Sequence, residues 1–257
     1  MDPRYPQIAE RIASSRYVIA LTGAGISVES GIPDFRSEDG LWSRYDPLEY
    51  GHIDSFRMNP AKVWRMLLEM DLLLSRANPN SAHYALARME SSGYLKEIIT
   101  QNVDSLHQRA GSVRVIEFHG NGRELRCDGC GRSFDRGALT LETVPPVCPC
   151  GGSLRPNFVF FGEMIPPSVL EEARLAARSC DMMLIVGTSA TVAPASHLPH
   201  LAKQNRAFIV EVNPMPTMLS SALVDIQLAE SAGKALTAIL SELERRDSGK
   251  RTEYNGE

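Results

Sequence analysis

The sequence has no long apolar run, no signal-like start and little net charge. No stretch approaches the roughly 20 apolar residues that a membrane-spanning helix needs. The first 15 residues carry charges where a signal peptide would have an apolar core. The net charge of −4 argues against general binding to nucleic acid or anionic membranes. These absences predict a cytoplasmic globular protein with neither a membrane nor a direct nucleic-acid partner.

Cysteine is also scarce, with five residues in a chain of 257. In a reducing compartment such residues indicate metal binding or catalysis rather than disulfides. Four of them form two close pairs, Cys127 with Cys130 and Cys148 with Cys150. Two tight turns that each carry two thiolates suit tetrahedral zinc and leave no position open for water. We therefore predict a structural zinc site, with free or redox-active cysteines as the alternative, and expect Cys180 to be a small buried residue.

Short apolar runs that end in turn residues alternate along the chain with amphipathic helical patterns. This alternation predicts an α/β fold, a Rossmann-like doubly wound parallel sheet. The predicted strands are 17–23, 95–102, 113–118, 181–189, 207–213 and 224–230. The predicted helices are 60–77, 80–93, 167–179 and 233–246.

Two segments interrupt the alternation and predict an inserted small domain that binds zinc and is partly helical. The segment 120–156 is rich in Gly, Arg and Cys, and 33–78 holds a long loop and a helix before the second strand. We expect a discontinuous Rossmann-like domain (1–32, 79–119 and 157–246), a cofactor loop with the helical part of the small domain (33–78), a zinc-binding module (120–156) and a disordered tail (247–257).

Five predicted strands end in polar residues. Ligands of open α/β sheets bind beyond the carboxyl ends of the strands, so five polar ends indicate a long polar ligand. Gly23, Gly25 and the 187–189 loop favour phosphate binding through backbone N–H groups, with tight turns as the alternative. Arg36 is a candidate for a further phosphate contact and Asn213 for a ribose contact. The five polar ends are 22–27, 100–104, 119–121, 187–189 and 211–213.

One histidine is a candidate general base. His119 follows an apolar strand and shares the predicted edge with Asn102 and Asp104, which favours catalysis over the structural role that a lone histidine more often has. His83 and His107 are better explained by packing or capping.

The first glycine loop departs from the dinucleotide fingerprint of dehydrogenases. Val28 stands where that fingerprint has its third glycine, and the acidic ribose ligand after the second strand is missing. A hydride-transfer enzyme is therefore not expected.

Several motifs together resemble the sirtuin family, the NAD-dependent protein-lysine deacylases, in their compact prokaryotic form. The resemblance covers residues 10–245 and implies NAD as co-substrate and one structural zinc ion. The motifs are, in order, GAGISVESGIPDFR, TQNVDSLHQRAG, FHGN, the two cysteine pairs, RPNFVFFGE, GTSATVAPA and EVN.

The resemblance also implies roles around the reacting sugar. His119 would deprotonate a ribose hydroxyl, and Asn102 would orient the nicotinamide ribose and a water. Phe35 would cover the reacting carbon, while Asp104 and Ile32 would hold the nicotinamide carboxamide. The other implied cofactor contacts are Arg36, Gln101, Gly23, Ala24, Gly25, Ser27, Gly187, Thr188, Ser189 and Asn213.

The same resemblance implies that an acyl-lysine peptide binds by strand addition, in which backbone groups supply the affinity. The products would be lysine, nicotinamide and O-acyl-ADP-ribose. One side of the peptide would contact Val159, Phe160, Phe161, Gly162 and Glu163. The other side would contact Val192, Ala193 and Pro194.

The acyl group is expected to be neutral. Members that prefer succinyl or malonyl lysine carry a Tyr-x-x-Arg, and here the corresponding positions are Leu67 and Met70. Neither side chain pairs with a carboxylate, so acetyl is expected and a longer apolar chain is the alternative.

Two other functions remain open at this point. A protein mono-ADP-ribosyltransferase would use the same NAD site, although the intact FVFFGE segment argues against it. An NAD-sensing interaction module without turnover would not need His119 and Asn102.

Overall fold

The computed structural model describes residues 2–34, 40–139, 141, 143–219 and 222–254. Phe35 and Arg36, to which the resemblance gives cofactor contacts, lie outside these described residues.

Nine strands and ten helices are present in the described part of the chain. The strands are β1 (Val18–Thr22), β2 (Leu95–Thr100), β3 (Val115–Glu117), β4 (Gly120–Cys127), β5 (Ser133–Asp135), β6 (Leu154–Phe158), β7 (Met182–Val186), β8 (Phe208–Val212) and β9 (Ile226–Leu228). The helices are α1 (Arg4–Ser14), α2 (Leu41–Arg44), α3 (Pro47–Tyr50), α4 (Ile53–Met58), α5 (Pro60–Arg76), α6 (Ser81–Ser91), α7 (Leu106–Arg109), α8 (Pro167–Ser179), α9 (Leu198–Gln204) and α10 (Ala232–Tyr254).

The six predicted strands form one parallel sheet in the order β3-β2-β1-β7-β8-β9. The order reverses direction at β1 and β7, which is the topological switch point where such sheets bind ligands. Thr22 at the end of β1 pairs with Thr100 of β2 and Val186 of β7. The three strands therefore end level with one another, and their following loops meet at one edge. This confirms the predicted Rossmann-like doubly wound fold.

Each face of the sheet is covered by helices, and β1 shows how one strand serves both cores. Val18 and Ala20 pack into the cluster that includes α1, α6 and α10. Ile19 and Leu21 pack into the cluster on the other face, with α8 and α9. Successive side chains of a strand point to opposite faces, so a continuous apolar run is what a doubly covered strand requires.

A second, antiparallel sheet in the order β5-β4-β6 forms the small lobe with α4 and α5. Trp64 of α5 is 1% exposed, and its indole N–H donates to the carbonyl of Leu154 at 2.8 Å. Two of the four clustered cysteines, Cys127 and Cys148, are buried in the same apolar cluster. The zinc module and the helical part therefore share one core.

The last helix is longer than the sequence analysis expects. α10 extends to Tyr254, whereas disorder was predicted from residue 247. Arg, Lys and Glu in this segment are good helix formers, so a helix already anchored by its apolar face continues into them. Among the helices in the described part of the chain, none has the length and apolarity to cross a membrane.

Candidate active site

Two glycine loops meet backbone to backbone at the carboxyl edge of the sheet. The N–H of Gly23 donates to the carbonyl of Val186 at 3.1 Å, and the N–H of Gly25 donates to the carbonyl of Gly187 at 2.8 Å. A Cβ on Gly25 would lie 2.7 Å from the Cα of Gly187, and Gly187 itself has φ +61. Only glycine permits this approach.

This contact corrects the expected use of the first loop. The N–H groups of Gly23 and Gly25 are used inside the protein, so they are not the direct phosphate donors that the sequence analysis expects. What the glycines supply is close approach: they bring the loop after β1 against the loop after β7. The 3-10 helix Ala24–Ser30 then begins at the junction.

Side-chain amides join the neighbouring loops. Gln101 donates to the hydroxyl of Thr188 at 2.9 Å, across the end of β1. Asn213 donates to the carbonyl of Thr188 at 3.2 Å and accepts from the N–H of Met215 at 3.2 Å. These two side chains thus connect the ends of three strands, β2, β7 and β8. Ser189 lies beside them, with its hydroxyl 3.0 Å from that of Thr191.

Asn102 is buried and held on both sides. Its amide donates to the carbonyl of Gly23 and to the hydroxyl of Ser27, each at 3.1 Å. The Ser27 hydroxyl donates in turn to Asp104 at 2.7 Å. Ser27 was predicted only as a cofactor contact. It is buried, with 1% of its surface exposed, and its hydroxyl also bridges Asn102 and Asp104. Burial raises the pKa of Asp104, against the opposing hydrogen bonds from Leu106 and Ser27.

His119 has the protonation state of a general base. Its Nδ1 lies 3.0 Å from the carbonyl of Gln101, and a carbonyl only accepts, so Nδ1 carries the proton and Nε2 keeps its lone pair. Burial lowers the pKa of His119, partly offset by this hydrogen bond. The ring also makes an edge contact with Phe118 at 5.3 Å between centroids. A neutral, oriented imidazole results.

A cleft of about 920 Å³ runs along this edge. A smaller cavity of about 40 Å³ lies behind it and brings together Ile32 and Asp104, the pair expected to hold the nicotinamide carboxamide. The sequence analysis missed the far end of the cleft, formed by Ser231 and Ala232 after the sixth strand. The polar end of that strand was the available signal. The predicted site residues that line the cleft are Gly23, Ala24, Gly25, Gln101, Asn102, His119, Gly187, Thr188, Ser189 and Asn213.

The expected peptide segment also lines the cleft, but much of its backbone is already used. The Phe161 N–H donates to the carbonyl of Gly51, and the Phe161 carbonyl accepts from Ile53. The N–H of Val159 donates to the carbonyl of His119. All eight predicted peptide-binding residues are nevertheless at the cleft: Val159, Phe160, Phe161, Gly162, Glu163, Val192, Ala193 and Pro194.

The side chain of Glu163 holds this segment rather than facing a peptide. It accepts from the N–H of Phe160 at 3.0 Å and from the guanidinium of Arg155 at 2.6 Å. Arg155 is only 6% exposed and also contacts Asp128 at 3.4 Å. Phe160 is buried against Phe158, with ring centroids 5.0 Å apart. The loop is therefore anchored by a partly buried ion pair.

The two positions considered for acyl selectivity differ in placement. Leu67 is 2% exposed and belongs to the core of the small lobe. Met70 lines both the main cleft and the smaller cavity, and Met66 lines the cleft. The surface presented there is apolar.

The four cysteines converge as the spacing predicts. The Sγ atoms of Cys127 and Cys150 are 3.5 Å apart, and those of Cys130 and Cys148 are 3.7 Å apart. All four lie within 4.8 Å of one another. Sulfurs at the corners of a tetrahedron around zinc are about 3.8 Å apart, given Zn–S bonds of about 2.3 Å. The donor set and spacing fit zinc.

The thiol pKa values at this cluster shift in both directions: against a backbone hydrogen bond from Cys150, burial and the neighbouring thiols raise the pKa of Cys148 to about 12. The N–H of Cys130 donates to Sγ of Cys127 at 3.4 Å and lowers the pKa of Cys127 to about 6. Cys180 lies elsewhere; it is 3% exposed, and its thiol donates to the carbonyl of Ala177. It is the small buried residue that was expected.

A parallel sheet with a glycine junction at its switch point, beside an inserted four-thiolate module, defines a Rossmann-like nucleotide-binding protein with a structural metal site. The sequence model of the Sir2 family matches residues 23–194 of this chain. The chain belongs to the Sir2 family, which confirms the resemblance to sirtuins.

Relatives and solved structures agree with this membership over most of the chain. An NAD-dependent protein deacylase 1 from Archaeoglobus fulgidus is 44% identical over 91% of this chain and 96% of its own length. A Sir2 homologue solved in complex with NAD has a TM-score of 0.88 and 43% identity, and covers 93% of this chain and 94% of its own. A Sir2 variant solved with a deacetylated p53 peptide and 3'-O-acetyl-ADP-ribose has a TM-score of 0.87 and 34% identity, covering 92% and 97%.

Proposed function

We propose that this chain removes acetyl and other neutral acyl groups from protein lysines, with NAD as co-substrate and His119 as the general base. The observation that carries the proposal is His119 itself. It is neutral, its Nδ1 is anchored on the carbonyl of Gln101, and it lines the same cleft as Asn102 and the glycine junction. A base that is neutral and oriented can accept a proton at Nε2 near pH 7.

NAD fits the cleft by shape and by chemistry. The cleft follows the ends of several strands, and the glycines at positions 25 and 187 place no side chain in it. NAD supplies an ADP-ribose carbon that releases nicotinamide and accepts the acyl oxygen. The relatives named above are NAD-dependent or bind NAD.

The protein side of the reaction is divided among three residues. Asn102, fixed by Gly23 and Ser27, orients the nicotinamide ribose. Asp104 holds the carboxamide in the small cavity with Ile32. His119 would take the proton of a ribose hydroxyl, whose oxygen then bonds to the acyl carbon. The bond from that carbon to the lysine nitrogen breaks, lysine leaves as the amine, and the water that Asn102 orients supplies the remaining oxygen of the product ester. General base catalysis of this kind contributes about 10²–10⁴-fold.

The acyl-lysine peptide binds between the 159–163 and 192–194 segments. Within the described residues the N–H groups of Val159, Phe160, Phe161 and Glu163 are all used internally. On this side the peptide strand therefore pairs with the N–H of Gly162 and with backbone carbonyl groups. The solved complex with a deacetylated peptide supports a peptide substrate for this family member too.

One zinc ion would be held by Cys127, Cys130, Cys148 and Cys150. Four thiolates close the coordination sphere, so the ion supplies folding energy to the small lobe. None of the site residues described above is a ligand in this cluster. The five free cysteines favour a reducing compartment, and we infer that the protein works in the cytoplasm.

The fate of ADP-ribose distinguishes this function from a mono-ADP-ribosyltransferase. The protein is incubated with labelled NAD and an acetyl-lysine peptide, and the products are identified by mass spectrometry. We expect deacetylated peptide, nicotinamide and O-acetyl-ADP-ribose in equal amounts. Label bound to protein without deacetylated peptide would establish the transferase instead.

The acyl preference follows from the apolar surface at Met66 and Met70. A panel of acetyl-, succinyl- and long-chain acyl-lysine peptides measures kcat/KM for each. We expect neutral acyl groups to exceed succinyl by about 10–100-fold, because an unpaired carboxylate is costly to bury. Equal rates for succinyl and acetyl would contradict the assignment. Faster turnover of the long-chain peptide would favour the long-chain alternative.

A further inference from the structure

A chain of buried polar groups runs behind Asn102. The backbone N–H of Asn102 donates to the hydroxyl of Thr100 at 3.1 Å, and the hydroxyl of Thr22 lies 2.9 Å from that of Thr100. Nε2 of His107 lies 2.9 Å from the same Thr22 hydroxyl. Thr22, Thr100 and His107 are 0%, 3% and 1% exposed. The large majority of buried polar groups are hydrogen-bonded, and these contacts pair both hydroxyl groups and Nε2 of His107.

The direction of the protons follows from this geometry. Thr22 gives its one hydroxyl proton to Thr100, whose oxygen also accepts from Asn102. The Thr22 oxygen therefore accepts from His107. His107 is the Nε2–H tautomer, and its Nδ1 has no partner among the described residues.

A second histidine lies against the first. The N–H of Asn80 donates to Nδ1 of His83 at 3.3 Å, so His83 carries its own proton on Nε2. The rings of His83 and His107 are in edge contact, with centroids 4.9 Å apart. Burial lowers the pKa of His83 to about 4. Burial and the charge of a protonated His83 beside it lower the pKa of His107 to about 3. Both rings are neutral near pH 7, so His107 carries a single ring proton, and the contact with Thr22 places it on Nε2.

His107 does not contact the substrates. It lies on the four-residue helix α7 and is not among the residues that line the cleft. Among the described residues, its polar route to the site runs through Thr22 and Thr100 to the backbone of Asn102. The side chain of Asn102 is fixed separately by Gly23 and Ser27. Backbone and side chain are thus held by two different sets of contacts.

We propose that His107 is a positioning residue, which fixes the backbone of Asn102 by donating from Nε2 to the Thr22–Thr100 hydroxyl pair. The proposal rests on the proposed deacylase function, in which Asn102 orients the nicotinamide ribose. A shift of Asn102 misaligns the reacting sugar without removing a contact to either substrate. The defect therefore falls on kcat rather than on KM.

Two substitutions at position 107 separate positioning from packing. In His107→Gln the side-chain amide places a donor near the position of Nε2, whereas His107→Leu keeps apolar volume without a donor. We expect kcat to fall about tenfold in His107→Leu, the size of one buried hydrogen bond, with both KM values within about twofold. His107→Gln should recover kcat to within about threefold. The matched control, His200→Leu on the exposed face of α9, should leave kcat unchanged. Equal kcat in the Gln and Leu variants would overturn the proposal.

A second variant keeps the test open if His107→Leu fails to fold. Thr100→Val removes the hydroxyl that connects Thr22, the partner of His107, to the backbone of Asn102, with little change of shape. We expect a loss of kcat similar to that of His107→Leu, and no further loss when Thr100→Val is combined with His107→Gln. Wild-type kcat in a folded Thr100→Val would overturn the proposal, as would multiplicative losses in the double variant.

The tautomer provides a readout that does not depend on activity. Long-range ¹⁵N–¹H NMR on the full chain reports which ring nitrogen of His107 is protonated, and we expect Nε2. Finding the proton on Nδ1 would overturn the proposal even in an active enzyme. Absence of turnover in the wild type, with Nε2 protonated, would instead contradict the proposed function.

Discussion

At the scale of single residues, burial sets the protonation states on which the site depends. His119 is neutral because burial lowers its pKa, and the carbonyl of Gln101 decides which nitrogen keeps the lone pair. Asp104 is affected in the opposite sense, since burial raises the pKa of a carboxyl group. A neutral imidazole therefore lines the main cleft, and a carboxyl group that is less acidic than usual lines the smaller cavity beside it.

The pH profile of kcat/KM tests the state of His119. A base acts in its neutral form, so activity falls as the pH drops through the pKa of His119. Because that pKa is lowered from its usual 6.5, we expect the acidic midpoint below pH 6.5. Circular dichroism and bound zinc are followed at each pH to separate titration from unfolding. A midpoint above pH 6.5 in folded protein would contradict a buried base.

The sequence indicated the residues of the site better than their contacts. His119, Asn102 and the cysteines were predictable because their types and their positions at strand ends carry the chemistry. The hydrogen bond from the Gly25 N–H to the carbonyl of Gly187 was not predictable, because a Gly-x-Gly pattern fits both a phosphate-binding loop and a backbone junction. His107 was expected to pack or cap, and it is buried, but its contact with Thr22 was not predicted, because local sequence does not reveal a partner that lies far away along the chain.

At the scale of elements, the glycine junction determines how the loops after β1 and β7 fit together. A side chain on Gly25 would meet the backbone of Gly187, which cannot move aside as a flexible side chain can. The loop that would carry NAD then shifts as a unit. The junction is therefore a packing contact, and we expect cofactor binding to depend on it.

Gly25→Ala tests the junction. We expect about 1–3 kcal/mol lower free energy of unfolding from overpacking, and at least a tenfold lower kcat/KM for NAD, since displacements of about 1 Å are this costly. The matched control is Gly249→Ala, where an added Cβ meets nothing within 4 Å inside α10. That variant should be unchanged or slightly stabilised. An unchanged kcat/KM for NAD in Gly25→Ala would contradict the expected role of the junction in cofactor binding.

The main elements were predictable for a physical reason that also explains the exceptions. A strand buried on both faces is an uninterrupted apolar run, so all six strands of the parallel sheet were visible in the sequence. The extension of α10 to Tyr254 was not predictable, because charged residues are compatible with a disordered tail and with an exposed helix alike. The anchoring of the peptide segment by Glu163 and Arg155 depends on a long-range contact, which local sequence does not reveal.

At the scale of the whole molecule, the small lobe depends on its metal site. Cys127 and Cys148 belong to the same apolar cluster as Trp64 and Phe160. Phe160 is also part of the segment expected to bind the peptide. The thiolate cluster thus lies in one core with a wall of the cleft, although it takes no part in the proposed chemistry.

Removal of the metal tests this dependence. Cys130→Ala is the cleaner substitution, because Cys130 is exposed and its loss leaves no core cavity. We expect bound zinc to fall from about one ion per chain to none and the free energy of unfolding to fall by several kcal/mol. The matched control, Cys180→Ala, should keep its zinc. Full stability and activity in metal-free Cys130→Ala would contradict a structural zinc site.

The most direct test of the central claim compares wild type with His119→Ala on an acetyl-lysine peptide and NAD. Deacetylation rates and the dissociation constant of NAD are measured for both proteins. The account predicts a loss of about 10²–10⁴-fold in kcat for His119→Ala, with NAD affinity within about twofold, since the base acts in the chemistry rather than in binding. Full deacetylase activity in a folded His119→Ala protein would contradict it.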